Sequence, residues 1–240
     1  MVNLDIRLKA VYDLTEKCDT FLDVGSDHGY LPLHLIKNNI INKAVVSDIN
    51  EGPLFNAKEN FELYKMRDKA TFILTGGLRD IDTRDIDAVS ICGMGGELII
   101  SILEEDKTKA KGFDYLIFQP MNSVNLVRKY LYENGYTIVK EDLVKDRHHF
   151  YNILKVIPKK DNREFDEIFF DLGYDLFKEG NENFIDFINY KIRVNKKIIE
   201  NCKSQNSENA KRAKEKAVDY INRLEGVKKD YESKRCNRVY

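Results

Sequence analysis

The segment DVGSDHG, from Asp23 to Gly29, places two carboxylates and two glycines in seven residues, directly after an apolar run and before a helical pattern. A glycine at position 25 lets the backbone turn sharply and lets a ligand approach without meeting a Cβ. The free N–H groups that open the following helix face the same crevice. In a dinucleotide enzyme such groups hold pyrophosphate. Here the spacing is D-x-G-x-D-x-G, and acids at Asp23 and Asp27 are poor neighbours for pyrophosphate. They suit a cofactor with a cationic end, such as the α-amino group and sulfonium of S-adenosylmethionine. Asp48 follows about 20 residues beyond the loop, at the end of a second apolar run, where an acid accepts hydrogen bonds from ribose hydroxyls. A nicotinamide enzyme is disfavoured by the acidic loop and the missing G-x-G-x-x-G.

Three further stretches belong to the same rim. TGGLRDI, from Thr75, offers Gly76 and Gly77 where methyltransferases often place an acid to read adenine, and the nearest acid is Asp80. GMGG, Gly93 to Gly96, brings three glycines around Met94, so that backbone passes close to cofactor and substrate; Met94 itself reads as a packing residue. FQPMN ends with Gln119, Pro120 and Asn122, whose amides either bond a base edge or cap the helix that follows. His28 reads equally as a general base or as a brace for its loop.

Such residues must be held by a scaffold that presents several strand ends on one edge. Apolar, β-branched runs at 20–24, 44–48, 70–74, 87–92 and 115–119 alternate with helical patterns at 31–38, 53–65, 97–104 and 124–134. Runs apolar on both faces are buried parallel strands, and the alternation predicts a doubly wound α/β domain. Gly135 stands where a helix C-cap belongs. An amphipathic helix over 4–14 precedes this, with Leu4, Leu8, Val11 and Leu14 near one face. The runs 136–144 and 150–157, joined only by the polar link KDRHH, predict an antiparallel hairpin. Five βα strands closed by a hairpin is a Rossmann-like methyltransferase layout. The link's His148 and His149 read as solvated.

Beyond Pro158 a polar stretch, 159–163, reads as a linker, followed by a shorter helix at 168–177. Ile185, Ile188, Ile192, Asn195, Ile199 and Cys202 then recur at three- and four-residue steps, as do Ala210, Ala213, Ala217, Tyr220, Leu224, Val227 and Tyr231. These are two heptad seams around the polar turn 203–209, and they predict an antiparallel helical hairpin, with Asn195 favouring one register. The expected domains are therefore residues 1–158 and 164–240. A monomer is favoured, with dimerisation through the seams left open. Formal net charge is -1 overall, yet residues 1–156 carry -4 and residues 190–240 carry +8. That asymmetry suggests a basic arm, or else a solvated lysine-rich face. Four cysteines without C-x-x-C spacing argue against a disulfide framework or zinc site, and no metal is expected. No signal-peptide pattern opens the chain and no apolar run nears ~20 residues, so a cytoplasmic location is the default.

With these residues in place the chain resembles the bacterial tRNA (adenine-22-N1)-methyltransferase family. The likeness runs through LDIRL at 4–8, FLDVGSDHGYLP at 21–32, SDINEGPLFNAKEN at 47–60, GGL at 76–78, GMGGELI at 93–99, FQPMNSVNLVRKYLYENGY at 118–136 and YNILKV at 151–156. It departs at Gly77, where the family often carries an acid. The resemblance implies methyl transfer from S-adenosylmethionine to N1 of an adenine in the D-arm region of tRNA. It implies cofactor contacts at Asp23, Gly25, Ser26, Asp27, Asp48, Ile49, Gly76, Gly77, Gly93, Met94 and Gly95. Asp27, His28 and Gln119 become the candidate catalytic residues, with Asp27 placed to stabilise the cationic base. The Lys/Arg-rich helices would hold the tRNA backbone. Two other readings stay open: a methyltransferase acting on a protein or small molecule, and a non-catalytic cofactor-binding module.

Overall fold

The computed structural model describes residues 3–203 and 207–238, with side chains to Lys234. It divides into two compact units, residues 1–165 and 166–240. In the first unit α1 (Ile6–Leu14) precedes β1 (Cys18–Val24), α2 (Tyr30–Lys37), β2 (Ile41–Asp48), α3 (Glu51–Leu63) and β3 (Ala70–Leu74). There follow β4 (Ala88–Met94), α4 (Gly96–Glu105), the short α5 (Lys107–Ala110), β5 (Tyr115–Pro120), α6 (Val124–Glu133), β6 (Thr137–Asp146) and β7 (His149–Ile157). Among the described residues these strands form one sheet in the order β3-β2-β1-β4-β5-β7-β6. The pairings among β1 to β5 are parallel, and β7 runs antiparallel to both β5 and β6. The chain reverses direction between β1 and β4, so a crevice opens at their carboxyl ends.

The apolar pattern explains the layers. All six residues of β5 are buried. Phe21 of β1 packs with α1, α2 and α3 on one face, while Leu22 and Val24 pack with α4, α5 and α6 on the other. The first helix begins two residues later than its periodicity predicts, because the Asp5 carboxylate accepts the Leu8 N–H at 2.7 Å and caps it. The expected hairpin is present, but its strands extend through Asp146 and from His149, leaving Arg147 (φ 53°) and His148 to turn the chain. A buried Arg128 fastens α6 to the hairpin: its Nε donates to Glu141 at 2.6 Å and its Nη2 to Asn152 at 2.8 Å.

In the second unit the single helix expected at 168–177 is two, α7 (Ile168–Leu172) and α8 (Tyr174–Glu179). Gly173, at φ 88°, interrupts them in a conformation that L side chains rarely adopt. The long α9 (Phe184–Cys202) and α10 (Glu208–Arg238) pack on each other antiparallel: Lys228, late in α10, donates to Asn189, early in α9, at 2.9 Å. In α10 the deepest residues are Ala210, Ala217, Leu224 and Tyr231, a seven-residue repeat. In α9 the seam is shifted: Phe184 and Phe187 are buried with Ile188 and Ile192, while Ile185 is half-buried. The larger rings take the core because they meet Phe177 and Tyr231, with Phe184 and Tyr231 centroids 4.8 Å apart. Asn195 spends its amide inside its own helix, donating to Lys191 C=O at 2.9 Å. Residues 204–206 of the expected polar turn lie outside the described residues. Among the described residues no helix is long and apolar enough to cross a membrane.

Candidate functional site

A cleft of ≈ 580 Å³ runs along the carboxyl ends of β4, β1, β2 and β3. That volume lies within the roughly 300–1,000 Å³ typical of cofactor sites. Its wall at β1 is Gly25, at φ +70°, where an added Cβ would stand 2.3 Å from Met94 Cε. The loop is tied to β2 by the Gly25 and Ser26 N–H groups, which both donate to Ser47 C=O at 2.9 and 3.1 Å. Asn60 holds the far side by donating to His28 C=O at 2.9 Å. The loop's brace at this residue is thus its carbonyl. The His28 imidazole stacks on Tyr30 and lies 3.6 Å from Asp27 Oδ1. Both side chains sit on the outer rim, Asp27 68% and His28 41% exposed. Asp27 itself has φ 52°.

Asp23 does not line the cleft. It is 5% exposed beneath the loop, where its carboxylate accepts from Ser26 Oγ and from Ser90 Oγ, the latter at 2.5 Å. Burial pushes its carboxyl up to about 6, against the pull of those two hydroxyls. Asp23 and Ser26 therefore shape the loop from below. Asp48 does line the cleft; its Oδ1 accepts the Asn50 N–H at 2.8 Å, which fixes the carboxylate at the end of β2. Ile49 is exposed beside it, and its Cδ1 would lie 3.3 Å from a Cβ on Gly76. A Cβ on Gly77, at φ +65°, would lie 3.2 Å from Ile102. Thr75 and Asp80 complete this end, the threonine hydroxyl donating to Asp80 Oδ2 at 2.8 Å.

The three glycines after β4 have different work. Gly93, at φ +75°, leaves room for the Arg7 guanidinium, whose Nη1 would be 2.9 Å from an added Cβ. Gly95 and Gly96 leave room for Asn122 and the backbone around it. Gln119 is fully buried, and its Oε1 accepts both Arg7 Nη1 and the Gly93 N–H at 3.1 Å. Its Nε2 donates to Pro120 C=O at 3.1 Å, so Gln119 braces β4 against α1 with both ends of its amide engaged. Asn122 caps a helix, though not the one that follows it: its Oδ1 accepts the Gly96 N–H at 3.2 Å, at the start of α4. Burial pushes the Cys92 thiol up, so this wall residue stays neutral. Arg7 escapes motif reasoning because α1 lies far from the loops in sequence; its only trace is the arginine of LDIRL. Among the described residues no group of three or more His, Cys, Asp or Glu is placed to hold a metal ion.

The site fits S-adenosylmethionine. Gly25 and Gly93 form a cradle that side chains would fill, Asp48 supplies the ribose acceptor, and an apolar slot lies between Ile49 and Ile102. Fold and cleft together define a Rossmann-like, S-adenosylmethionine-dependent methyltransferase. Residues 4–154 match the family described as "Methyltransferase domain". The chain belongs to that family and, within it, to the tRNA (adenine-22-N1)-methyltransferases. It is 32% identical over 153 residues to the tRNA (adenine(22)-N(1))-methyltransferase of Bacillus subtilis, a match spanning 64% of each chain. The crystal structure of the Bacillus subtilis m1A22 tRNA methyltransferase superposes with a TM-score of 0.84 at 26% identity, covering 95% of this chain and 100% of that one. The Mycoplasma capricolum enzyme bound to S-adenosylhomocysteine gives 0.78 at 27% identity, covering 95% and 98%.

Proposed function

We propose that the chain transfers the methyl group of S-adenosylmethionine to N1 of adenine 22 in tRNA. The observation that carries this reading is the cleft itself, a Gly25–Gly93 cradle with Asp48 at its side, set in a chain similar to m1A22 methyltransferases along nearly all of its length. When bound, the cofactor supplies an electrophilic methyl group on a sulfonium. N1 of neutral adenine carries a lone pair and needs no deprotonation before attack, so the protein's task is alignment. Gly25 and Gly93 admit the backbone to close approach, Asp48 holds the ribose, and Asp23 with Ser26 keeps the loop in shape. Ile49, Gly76, Gly77, Met94 and Gly95 complete the walls and their support. Asp27, at the rim, stabilises the base as it becomes cationic. His28, stacked with Tyr30, lies where an unstacked base enters. Gln119 acts by positioning Gly93 and Arg7. The Arg7 guanidinium offers a fixed cation to a phosphate of the same RNA.

Residues 1–158 form the catalytic domain in this reading and residues 164–240 the tRNA-holding one, in a cytoplasmic monomer. Incubation with a labelled methyl donor and separate tRNA, protein and small-molecule acceptors tests it. Label is expected in tRNA alone, with transfer weakened by salt. Label in protein or small molecules, or cofactor binding without transfer, would reject the tRNA reading.

A further inference from the structure

We propose that Asp80, oriented by Thr75, reads the exocyclic amine of the cofactor's adenine; the proposal rests on the cofactor reading above. The strand order fixes where the base must lie. The cleft passes from β4 and β1, through Asp48 at the end of β2, to the end of β3. With the ribose on Asp48 and the methionine end at the β1–β4 switch point, the base falls against β3. There Gly76 and Gly77 offer no side chain to hydrogen-bond it. What they offer is a flat slot, with Ile49 over Gly76 and Ile102 against Gly77. Such a slot suits a planar ring and gives it no polar reader.

The reader stands beside the slot. Asp80 lines the cleft, and its Oδ2 is held at 2.8 Å by Thr75 Oγ1. Thr75 is buried, and its N–H donates to Asp48 C=O at 2.9 Å. The Asp80 carboxylate is therefore fixed to the same β2–β3 rung that carries the ribose acid. An ionised carboxylate only accepts hydrogen bonds. It favours the 6-amino group of adenine and repels the 6-oxo group of hypoxanthine. A second carboxylate in the cleft, Glu105, is paired with Arg79 at 3.3 Å and is the rival.

The test compares the binding of S-adenosylhomocysteine with that of its hypoxanthine analogue, S-inosylhomocysteine, to the full chain by calorimetry. The wild type is expected to prefer the adenine ligand by about tenfold or more, the scale of one hydrogen bond to a charged group. Asp80→Ala should bring the preference near unity by weakening the adenine ligand. Asp80→Asn keeps the shape and adds a donor, so it should strengthen the hypoxanthine ligand. Glu105→Ala should leave the preference as it is. An unchanged preference in both Asp80 variants, or its loss in Glu105→Ala, overturns the proposal. Failure of the wild type to bind either ligand overturns the cofactor reading beneath it.

Discussion

Asp23 and Asp48 are both acids at strand ends, yet their surroundings set them to different work. Asp48 lines the cleft with its carboxylate oriented by Asn50. Asp48→Ala should weaken S-adenosylmethionine and S-adenosylhomocysteine in parallel, by about tenfold, because both share the ribose. A loss confined to the methylated cofactor would contradict the ribose role. Asp23 is buried, and its carboxyl rises from 3.8 to about 6. Between about pH 4 and 6 the folded chain keeps a proton that the unfolded chain has lost. Stability from this group is thus full below pH 4 and declines as pH rises through 6. In urea melts, Asp23→Asn should gain on the wild type by on the order of 2 kcal/mol between pH 4 and pH 7. A constant difference across that range would show that Asp23 titrates normally. The sequence places Asp23 within reach of the cofactor's amine; only the third dimension shows Ser26 and Ser90 closing over it.

At the scale of elements, the glycines after β4 make the clearest prediction. A Cβ on Gly96 would lie 2.8 Å from both Asn122 C=O and Ser123 C=O, backbone that cannot swing aside. Gly96→Ala should cost about 1–3 kcal/mol in chemical denaturation. Gly52, in α3, meets nothing within 4 Å, so Gly52→Ala should be neutral or stabilising by up to ~1 kcal/mol. Equal effects at the two sites would refute the packing argument. The parallel strands were legible because a strand buried on both faces must be apolar throughout, as 115–119 is. The hairpin was legible because its link is too short for a crossover helix. The purpose of GMGG was not, since its neighbours Arg7 and Asn122 arrive from other elements. Nor was the interruption at Gly173, because a helical period continues across it. The phenylalanines that shift the α9 seam gain their place from Phe177 and Tyr231, partners that a heptad count does not contain.

Over the whole molecule, catalytic and basic parts separate by charge: -4 over residues 1–156 and +8 over residues 190–240. Lys211, Arg212, Lys214 and Lys216 are exposed or half-exposed positions along α10. Changing all four to glutamate should weaken tRNA binding and leave the oligomeric state and S-adenosylhomocysteine affinity as they were. The log–log salt slope of tRNA affinity should shrink by roughly 0.7–0.9 for each phosphate that is no longer neutralised. An unchanged slope would make these basic residues a solvated face. The central claim is the acceptor atom. Unmodified tRNA incubated with the chain and S-adenosylmethionine, then digested to nucleosides for mass spectrometry, should yield 1-methyladenosine. The same tRNA carrying guanine at position 22 should yield none. Absence of 1-methyladenosine from the first, methylation at another atom, or its persistence in the second would contradict the account.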